Sequence, residues 1–222
     1  SYSSVGTSVT TLNNKEIQEA GEFFLADVLN DSLPGMNYFR SGGYGTTTGI
    51  QLRGLPKRYS TVYIDGVKMS DPSSSDNSFY FSNIMTSSID KVEILRGSNS
   101  SVYGSGAIGG VINIFTKKGK LKETNINVNG GSNGTDNLDI SIGDNYENHS
   151  YYIGINRFNT NGISAMNDEK DTNDDDSYES DSLIANYSYV FSKNNIFKGS
   201  LRYSDSFLNY DEVTQGRTDA NN

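Results

Sequence analysis

Residues 89–118 read IDKVEILRGSNSSVYGSGAIGGVINIFTKK, and this segment gives the strongest indication of the fold. A strand-like segment, 89–95, ends at Arg96-Gly97, and a second strand-like segment covers 111–115. The 14 residues between them, 97–110, are almost all Gly, Ser, Ala and Asn and include five glycines. Glycine is favoured where φ is positive or where another backbone comes close. The stretch therefore predicts a compact segment threaded through a narrow space, with little room for side chains.

The same stretch contains a Gly-x-Gly-x-x-Gly pattern, from Gly104 to Gly109, of the kind found in dinucleotide-binding proteins. That function requires a strand before the pattern, a helix after it and an acidic residue about 20 positions further on. The residues after the pattern are strand-like, and no acidic residue lies near position 129. A glycine-rich turn between two strands explains the pattern better than a nucleotide site does.

Four motifs, in one order, resemble the plug domain of TonB-dependent outer-membrane receptors. They are LADVL (25–29) with LPG (33–35), IQLRGL (50–55), VYIDGV (62–67), and the series VEILRG, VYGS and AIGGVINI within 92–114. Members of the family usually carry proline after the RG, where this chain has Ser98. The resemblance covers about residues 5–120 and implies an α+β plug domain over residues 1–120. Residues 15–20 and 22–29 are predicted to form its helices, the second of which Pro34-Gly35 ends.

The resemblance also implies structural positions within the plug. These are Arg53, Gly54, Asp65, Gly66, Glu93, Arg96, Gly97, Gly109 and Gly110. A plug sits in a polar lumen, and buried charge needs a partner. We therefore expect Arg53 and Arg96 to form ion pairs with the barrel wall, or with acids such as Glu93, rather than to contact a ligand.

Charge divides the chain near residue 120. Residues 1–120 carry 11 Lys and Arg against 10 Asp and Glu, whereas residues 121–222 carry 7 against 17. The acidic second half argues against nucleic acid as a partner.

No apolar run approaches the length that a membrane helix needs. The chain begins with Ser and shows neither a signal peptide nor an energy-coupling box, so we expect a mature or shortened chain.

Apolar and polar residues alternate after residue 120, as in β-strands with two different faces. The alternating segments are 124–129, 138–143, 183–191 and 197–204, and less regularly 151–158. A soluble antiparallel sandwich has this period too. Short and long connections that alternate, and aromatic residues around the turn near 193, favour a membrane barrel. Residues 121–222 are therefore predicted to be the first antiparallel strands, about five, of a transmembrane β-barrel; five cannot close one, so we expect a fragment.

Two small polar loops of the plug, 41–48 and 70–78, are candidates for ligand contact. In the family, such loops point into the external vestibule. The candidate ligand-binding residues are Tyr44, Thr46, Thr47, Thr48, Ser73, Ser74, Ser75 and Asn77. For each of them, the alternative is a solvated turn without a ligand.

Eight carboxylates and one lysine crowd residues 168–181. Like charges at this density repel, and calcium, which takes six to eight oxygen ligands, would relieve the repulsion. A solvated acidic loop is the alternative. From residue 174 to 211 the chain also resembles the vitamin B12 receptors of the family, which bind calcium in two loops. That resemblance carries over to Asp174, Asp176, Tyr210 and Asp211, with Asp168 and Asp171 as further candidates, although Ser164 stands where an acidic ligand would be expected.

These features predict an active-transport receptor rather than an enzyme. The single histidine, His149, excludes a His-based triad or a two-His metal site within this chain. We expect calcium as a possible ion, no organic cofactor, and as partners a small nutrient, TonB of the inner-membrane energy complex and outer-membrane lipid. The leading nutrient is a corrinoid. The alternatives are a ferric-siderophore receptor, which Arg40 and Tyr44 support, and a soluble calcium-dependent adhesion module, which leaves the glycine-rich stretch unexplained.

Overall fold

The computed structural model describes residues 8–33, 35–97, 103, 105–163 and 176–209. Its helices and strands are β1 (Ser8–Asn13), α1 (Asn14–Glu19), α2 (Leu25–Ser32), β2 (Met36–Arg40), β3 (Thr48–Leu52), β4 (Ser60–Ile64), β5 (Val67–Met69), β6 (Ile89–Arg96), β7 (Gly110–Thr116), β8 (Glu123–Gly130), β9 (Asp136–Tyr146), β10 (His149–Thr160), β11 (Tyr178–Ser192) and β12 (Asn195–Leu208). Single 3-10 turns cover Lys57–Tyr59, Thr86–Ser88 and Ser105–Ala107. Within the described ranges, no helix has the length and apolar character needed to cross a membrane.

The plug, which is the chain up to the end of β7, is built on a five-stranded sheet in the order β1-β6-β7-β4-β5. The β4–β7 pair is parallel and the other pairs are antiparallel. The VYIDGV motif forms the β4–β5 hairpin, in which Asp65 (φ 50°) and Gly66 (φ 84°) are the two turn residues. Two successive positive φ angles are the geometry of a type I′ turn, which Asp-Gly favours.

The end of the glycine-rich stretch passes through a tight space, as predicted. Gly109 donates its N–H to the Tyr59 carbonyl at 2.9 Å, and a Cβ on Gly109 would lie 3.0 Å from that oxygen. Gly110 has a φ of 151°, and a Cβ there would press on the Leu95 carbonyl. Only glycine fits these two positions. Gly104 and residues 98–102 lie outside the described residues.

One hydrophobic core holds the plug together. Helix α1 begins with a capping box, in which Asn13 and Glu16 each accept the other's backbone N–H. Helix α2 buries four apolar positions around its first turn against the sheet, with β2 and β3 alongside. The principal core residues are Ile17, Leu25, Val28, Leu29, Ile50, Leu52, Val92, Ile94, Ile112 and Ile114.

The C-terminal strands form a second sheet, here called the wall sheet, in the order β12-β11-β10-β9-β8 with every pair antiparallel. Its polar face is buried against the plug and its apolar face is exposed, which is the opposite of the arrangement in a soluble protein. The face toward the plug buries Asn137, Ser141, Asn156, Ser180 and Asn186. The outer face exposes Ile140, Ile142, Ile153, Ile155 and Leu201, which are 38–56% accessible. This arrangement is that of a barrel wall with lipid outside, and it confirms the predicted fold class.

The connections of the wall sheet alternate in length. Two-residue turns at 147–148 and 193–194 lie at one end, and the connections 131–135 and 161–177 lie at the other. Exposed Tyr187, Phe191 and Phe197 surround the 193–194 turn. Strand β7 ends at Thr116 and β8 begins at Glu123, so the predicted domain boundary at residue 120 falls in the connection and stays a prediction.

Candidate functional site

The 41–47 loop connects β2 to β3 and is fixed at its base by Arg40. The Arg40 guanidinium donates through Nη2 to both carboxylate oxygens of Asp27, at 3.0 and 2.8 Å. It also lies over the rings of Tyr38 and Tyr44, with its Cζ atom 5.4 and 4.9 Å from their centroids. A charge-assisted pair combined with cation–π contacts is strong when it is shielded from water, and only 17% of the Arg40 side chain is accessible.

An aromatic cluster joins this loop to the wall sheet. Phe24 and Tyr44 from the plug pack against Phe158 of β10 and Tyr178 of β11. Ring centroids lie 5.1 Å apart for Phe24–Tyr44 and Phe24–Phe158, and 5.3 Å apart for Tyr44–Phe158. Burial raises the pKa of the Tyr44 phenol, with Asp27 adding to the effect. Tyr44 is therefore a neutral side chain that holds the loop to the end of the wall from which the 161–177 connection leaves.

Tyr178 contacts the same loop at Gly45 and also binds Asn83, which lies elsewhere in the plug. Its phenol donates to Asn83 Oδ1 at 2.7 Å, and its ring occupies the space that a Cβ on Gly45 would need. Gly45 also has a φ of 80°. Both the ring contact and the backbone conformation therefore require glycine at position 45.

The 70–78 loop is organised by two carboxylates. Asp71 Oδ1 accepts the N–H and the hydroxyl of Ser73, at 2.8 and 2.6 Å. Asp76 Oδ1 accepts the Ser74 hydroxyl at 2.6 Å and the Ser78 N–H at 3.2 Å. These bonds, with the one from Ser74 first, lower the pKa of Asp76 to about 2. The loop thus has a defined conformation at neutral pH.

The two loops meet at one cleft of about 540 Å³ between the plug and strands β11 and β12. Thr47 and Ser73 line it from the plug, and Ser182, Arg202 and Ser204 line it from the wall. The Ser82 hydroxyl donates to the Thr46 carbonyl at 2.8 Å, which ties the segment after the 70–78 loop to the 41–47 loop. The structure therefore brings residues of both predicted ligand loops together.

The eight predicted ligand-binding residues differ in accessibility. Thr47, Ser73, Ser75 and Asn77 are exposed, Tyr44 and Thr46 are half-buried, and Thr48 and Ser74 are buried. Thr48 is not in the loop as predicted, because it begins β3 and pairs with Arg40. Its hydroxyl donates to the Thr46 carbonyl at 3.0 Å. Ligand contact by all eight stays a prediction, and it is least favoured sterically for Thr48 and Ser74.

Of the six predicted calcium ligands, only Asp176 belongs to the described residues. Asp168, Asp171, Asp174, Tyr210 and Asp211 lie outside them. Asp176, two residues before the start of β11, is 5% exposed, and the neighbouring Ser177 carbonyl accepts the N–H of Asn209 at 2.9 Å. The end of the first predicted calcium motif therefore lies beside the start of the second. Within the ranges that the structure describes, no three His, Cys, Asp or Glu residues are grouped to hold a metal.

A charged contact that links plug and wall is centred on Asp65. Its carboxylate accepts the Thr116 N–H at 3.1 Å and the Thr116 hydroxyl at 2.5 Å. It also accepts from Nη1 of Arg202 in β12 at 3.3 Å, and Lys118 Nζ lies 3.6 Å away. Next to it, Asn186 of β11 donates to the Thr116 hydroxyl at 2.9 Å and to the Lys117 carbonyl at 2.7 Å.

The ion pairs expected of Arg53 and Arg96 with the barrel wall, or with acids such as Glu93, stay a prediction. Glu93 pairs with Lys91, at 2.7 Å, because the two residues share one face of β6. The plug–wall ion pair formed by the described residues joins Asp65 to Arg202. Arg53 and Gly54 both have positive φ and form the turn after β3. The contact of Arg202 with the plug was not predicted from the sequence, although a charged residue on the inward face of a predicted wall strand indicated such a contact.

Comparison with known proteins identifies one matching family model and a set of relatives that are similar in sequence. Residues 1–111 match the family model of the TonB-dependent receptor plug domain. The chain is 30% identical over 206 residues to the vitamin B12 transporter BtuB of Vibrio vulnificus and 32% identical over 179 residues to BtuB of Photobacterium profundum. These matches cover 92% and 80% of this chain. The chain spans about a third of the length of these relatives, 33% and 29% respectively.

Solved structures with the same fold include two receptors. The ferripyoverdine receptor of the outer membrane of Pseudomonas aeruginosa superposes with a TM-score of 0.73 at 14% identity, over 91% of this chain and 25% of that one. The ferric yersiniabactin uptake receptor FyuA of Yersinia pestis gives 0.67 at 21% identity, over 93% and 32%. At these identities, the likeness concerns the fold alone.

Proposed function

We propose that this chain, which belongs to the TonB-dependent receptor family, is the plug and first five wall strands of a receptor that binds a corrinoid at the cell surface and imports it. Proteins of this family lie in the outer membrane of Gram-negative bacteria, and so does this one. The exposed apolar face of the wall sheet is the surface that meets lipid. Import changes no covalent bond, so the proposed function is transport rather than catalysis.

One observation supports a corrinoid most directly. The 30% identity to a vitamin B12 transporter extends over 206 residues and so reaches beyond the plug into the wall strands and their connections. Ligand-specific residues of a receptor lie in such connections and in the plug loops. The structural neighbours named for iron chelates are only 14–21% identical and therefore support the architecture, not their ligands.

The cleft shared by the 41–47 and 70–78 loops is the proposed ligand-facing surface. Exposed Thr47, Ser73 and Asn77 offer hydroxyl and amide groups, and the Tyr178 clamp and the two loop carboxylates hold them in place. A polar ligand seated there would contact the plug directly. A pull by TonB on the plug would then have to separate the plug from the wall, including the Asp65–Arg202 pair.

Calcium is proposed as a structural ion for the outer loops. Asp168, Asp171, Asp174, Asp176, Tyr210 and Asp211 would supply carboxylate and other oxygen ligands. The hydrogen bond between Asn209 and Ser177 supports this set, because Ser177 directly follows Asp176 and Asn209 directly precedes Tyr210 and Asp211. Calcium would neutralise their mutual repulsion and order both loops around the ligand.

A ferric-siderophore receptor is the second candidate. Arg40, held between Tyr38 and Tyr44, provides the cation and aromatic groups that anionic chelates favour. Arg40 is already neutralised by Asp27, however, which weakens this alternative. A soluble adhesion module is disfavoured by the row of exposed isoleucines on the wall sheet.

The test is equilibrium binding of cyanocobalamin to the purified full-length receptor in detergent, with calcium and with a chelator. We expect Asp176→Asn to weaken binding by about tenfold, the effect of losing one charged ligand interaction. Asp181→Asn is the matched control, because Asp181 is a neighbouring acid with a 61% exposed side chain. Binding of a ferric chelate in place of cyanocobalamin would contradict the proposal. Binding that is unchanged by both the chelator and Asp176→Asn would contradict the proposed role of calcium.

A further inference from the structure

The side chain of Lys57 reaches from the turn after β3 to the edge of the 70–78 loop. A Cβ on Gly49 of β3 would lie 3.2 Å from Lys57 Cδ and 2.9 Å from the ring of Phe39, the partner of Gly49 in the β2–β3 hairpin. The lysine stem therefore passes over the bare backbone of β3, beside Phe39. Its ammonium donates to the Tyr80 phenol oxygen at 2.5 Å and lies 4.0 Å from the centroid of that ring.

A chain of three hydrogen bonds, here called the Lys57 relay, leads from this ammonium into the loop. The Tyr80 hydroxyl donates to Ser74 Oγ at 3.4 Å, and Ser74 Oγ donates to Asp76 Oδ1 at 2.6 Å. The direction is the same at every step, from a cation through two hydroxyls to a carboxylate. Hydrogen bonds arranged in this way polarise one another, and those with a charged member are the stronger ones. The Tyr80–Ser74 bond is the longest and therefore the weakest step.

The Lys57 relay ends on the carboxylate that shapes the loop. Asp76 Oδ1 also accepts the Ser78 N–H at 3.2 Å, and the Ser74 carbonyl accepts the Asn77 N–H at 3.1 Å. Because Ser74 is only 9% exposed, its hydroxyl depends on partners within the protein. Tyr80 itself lines the cleft between plug and wall. The shape of the loop thus depends on a cation that lies outside it, 23 residues before Tyr80.

We propose that Lys57 is a positioning residue of the ligand cleft, which holds the 70–78 loop in its binding conformation through Tyr80. The part of this inference that concerns binding rests on the proposed function, and the part that concerns loop order does not. Lys57 acts through the relay and not by contact with the ligand. Without its ammonium, the Tyr80 phenol and the Ser74 hydroxyl lose their fixed direction. The exposed groups of Ser73 and Asn77 then lose the framework that holds them at the cleft.

The first measurement concerns the loop in the full-length receptor without ligand. Lys57→Met keeps the stem and removes the charge and the donors, whereas Lys57→Arg keeps both. We expect Lys57→Met to speed hydrogen exchange in the 70–78 segment by about tenfold, the effect of one lost hydrogen bond to a charged group. Lys57→Arg should restore most of the protection. Lys68→Met is the matched control, because Lys68 is an exposed lysine on β5, and it should leave the exchange unchanged.

A second measurement reports on the contact between Lys57 and Tyr80. Hydrogen bonding from Lys57, followed by that from Ser74, lowers the pKa of the Tyr80 phenol. Ultraviolet difference absorbance, taken against a Tyr80→Phe variant of the same background, follows this phenol as the pH rises. The phenol should titrate at a higher pH in Lys57→Met than in the wild type. Exchange and titration that are both unchanged in Lys57→Met would overturn the relay.

Cyanocobalamin binding then separates positioning from direct contact. Lys57→Met should weaken binding by about fivefold, and adding it to Asp76→Asn should weaken binding no further, because both substitutions break one relay. Full additivity of the two effects would overturn the positioning role, since a direct contact of Lys57 with the ligand would give that result. A wild-type receptor that binds no cyanocobalamin would overturn the proposed function instead, while exchange and titration still decide whether the relay orders the loop.

Discussion

At the scale of single residues, the plug packs tightly against the wall where Gly45 meets the Tyr178 ring. A methyl group at this position would overlap the Tyr178 ring, and a φ of 80° is unfavourable for any side chain. We expect Gly45→Ala to displace the 41–47 loop and weaken cyanocobalamin binding by about tenfold or more, since backbone strain of this kind costs on the order of 1–3 kcal/mol. Isothermal titration with the full-length receptor measures the effect.

Gly43→Ala is the control for that experiment, because it lies two residues away in the same loop. A Cβ on Gly43 would meet no atom within 4 Å. Binding by Gly43→Ala should therefore stay close to that of the wild type. Equal binding by the two variants would show that the Tyr178 clamp does not position the loop.

Asp76 gives the 70–78 loop a defined pH dependence. Hydrogen bonds from Ser74 and Ser78 lower its pKa from 3.8 to about 2. Because the pKa falls on folding, the carboxylate's contribution to loop order is fully present above pH 3.8 and is lost as the pH falls through about 2. The amide chemical shift of Ser78, followed as acid is added, should move with a midpoint near that pKa of about 2, and Asp76→Asn should abolish the transition. A midpoint at or above the ordinary value of 3.8 would contradict the hydrogen-bonded geometry.

At the scale of elements, the β4–β5 turn connects the plug to the wall through Asp65. Its two bonds with Thr116 should matter more than its pair with Arg202, since partly exposed ion pairs contribute at most about 1 kcal/mol. We expect Asp65→Ala to destabilise the turn by about 1–3 kcal/mol, because it leaves buried donors unpaired and places alanine at a positive φ.

Hydrogen exchange at the Thr116 amide in the full-length receptor measures this loss. Asp65→Asn is the informative intermediate, because asparagine tolerates the turn geometry and keeps one acceptor oxygen. Exchange should accelerate in the order wild type, Asp65→Asn, Asp65→Ala. Arg202→Gln should have the smallest effect of the substitutions. Faster exchange in Arg202→Gln than in Asp65→Ala would reverse this ranking of the contacts.

In the wall strands, the effect of a lysine substitution on membrane insertion should depend on which face of the sheet carries it. Ile153 points outward from β10 at its middle, where a lysine should oppose membrane insertion by about 2–4 kcal/mol. Ser182 of β11 lines the inner cavities, so Ser182→Lys should insert normally. Heat-modifiable electrophoresis of membrane fractions measures the folded fraction of each variant. Normal insertion of Ile153→Lys would contradict the assignment of the outer face to lipid.

Local rules explain which elements could be predicted from the sequence. Alternation identified the wall strands because period 2 is imposed by the strand itself. The turn at Asp65-Gly66 was not predicted, although few residue pairs adopt two positive φ angles as readily as Asp-Gly. The second helix was predicted at 22–29 but spans 25–32. The shift has a tertiary cause: Phe24 is extended, with a φ of −110°, and the Leu25 N–H is bound by the Ile84 carbonyl at 2.8 Å.

At the scale of the whole molecule, the contacts that join plug and wall could not be predicted from the sequence. Tyr178 and Asn83 are 95 residues apart, and Asp65 and Arg202 are 137 apart. Such pairs depend on how two sheets are placed, which no local pattern specifies. The 41–47 and 70–78 segments could be predicted to be loops because they are small and polar, whereas the buried amides Asn137, Asn156 and Asn186 of the wall sheet looked in sequence like the polar half of an ordinary alternating strand.

The contacts between plug and wall also suggest how the molecule can hold together at rest and still move. Those near the 161–177 connection are mainly aromatic, through Phe24, Tyr44 and Phe158, whereas those around Asp65 and Asn186 are polar. Between them lies the cleft of about 540 Å³, whose lining runs from Gly45 and Asn83 to Thr116 and Arg202. A pull on the plug would therefore meet two separated sets of contacts rather than one continuous interface.

Energy-dependent uptake tests most directly whether the receptor imports a corrinoid. Gram-negative cells that lack their own cobalamin receptor would carry the full-length receptor, and uptake of radiolabelled cyanocobalamin would be followed with and without a proton-motive-force uncoupler. We expect saturable uptake that stops with the uncoupler and falls when TonB is deleted, while surface binding persists. Surface binding without uptake in energised cells, or uptake of a ferric chelate alone, would contradict it.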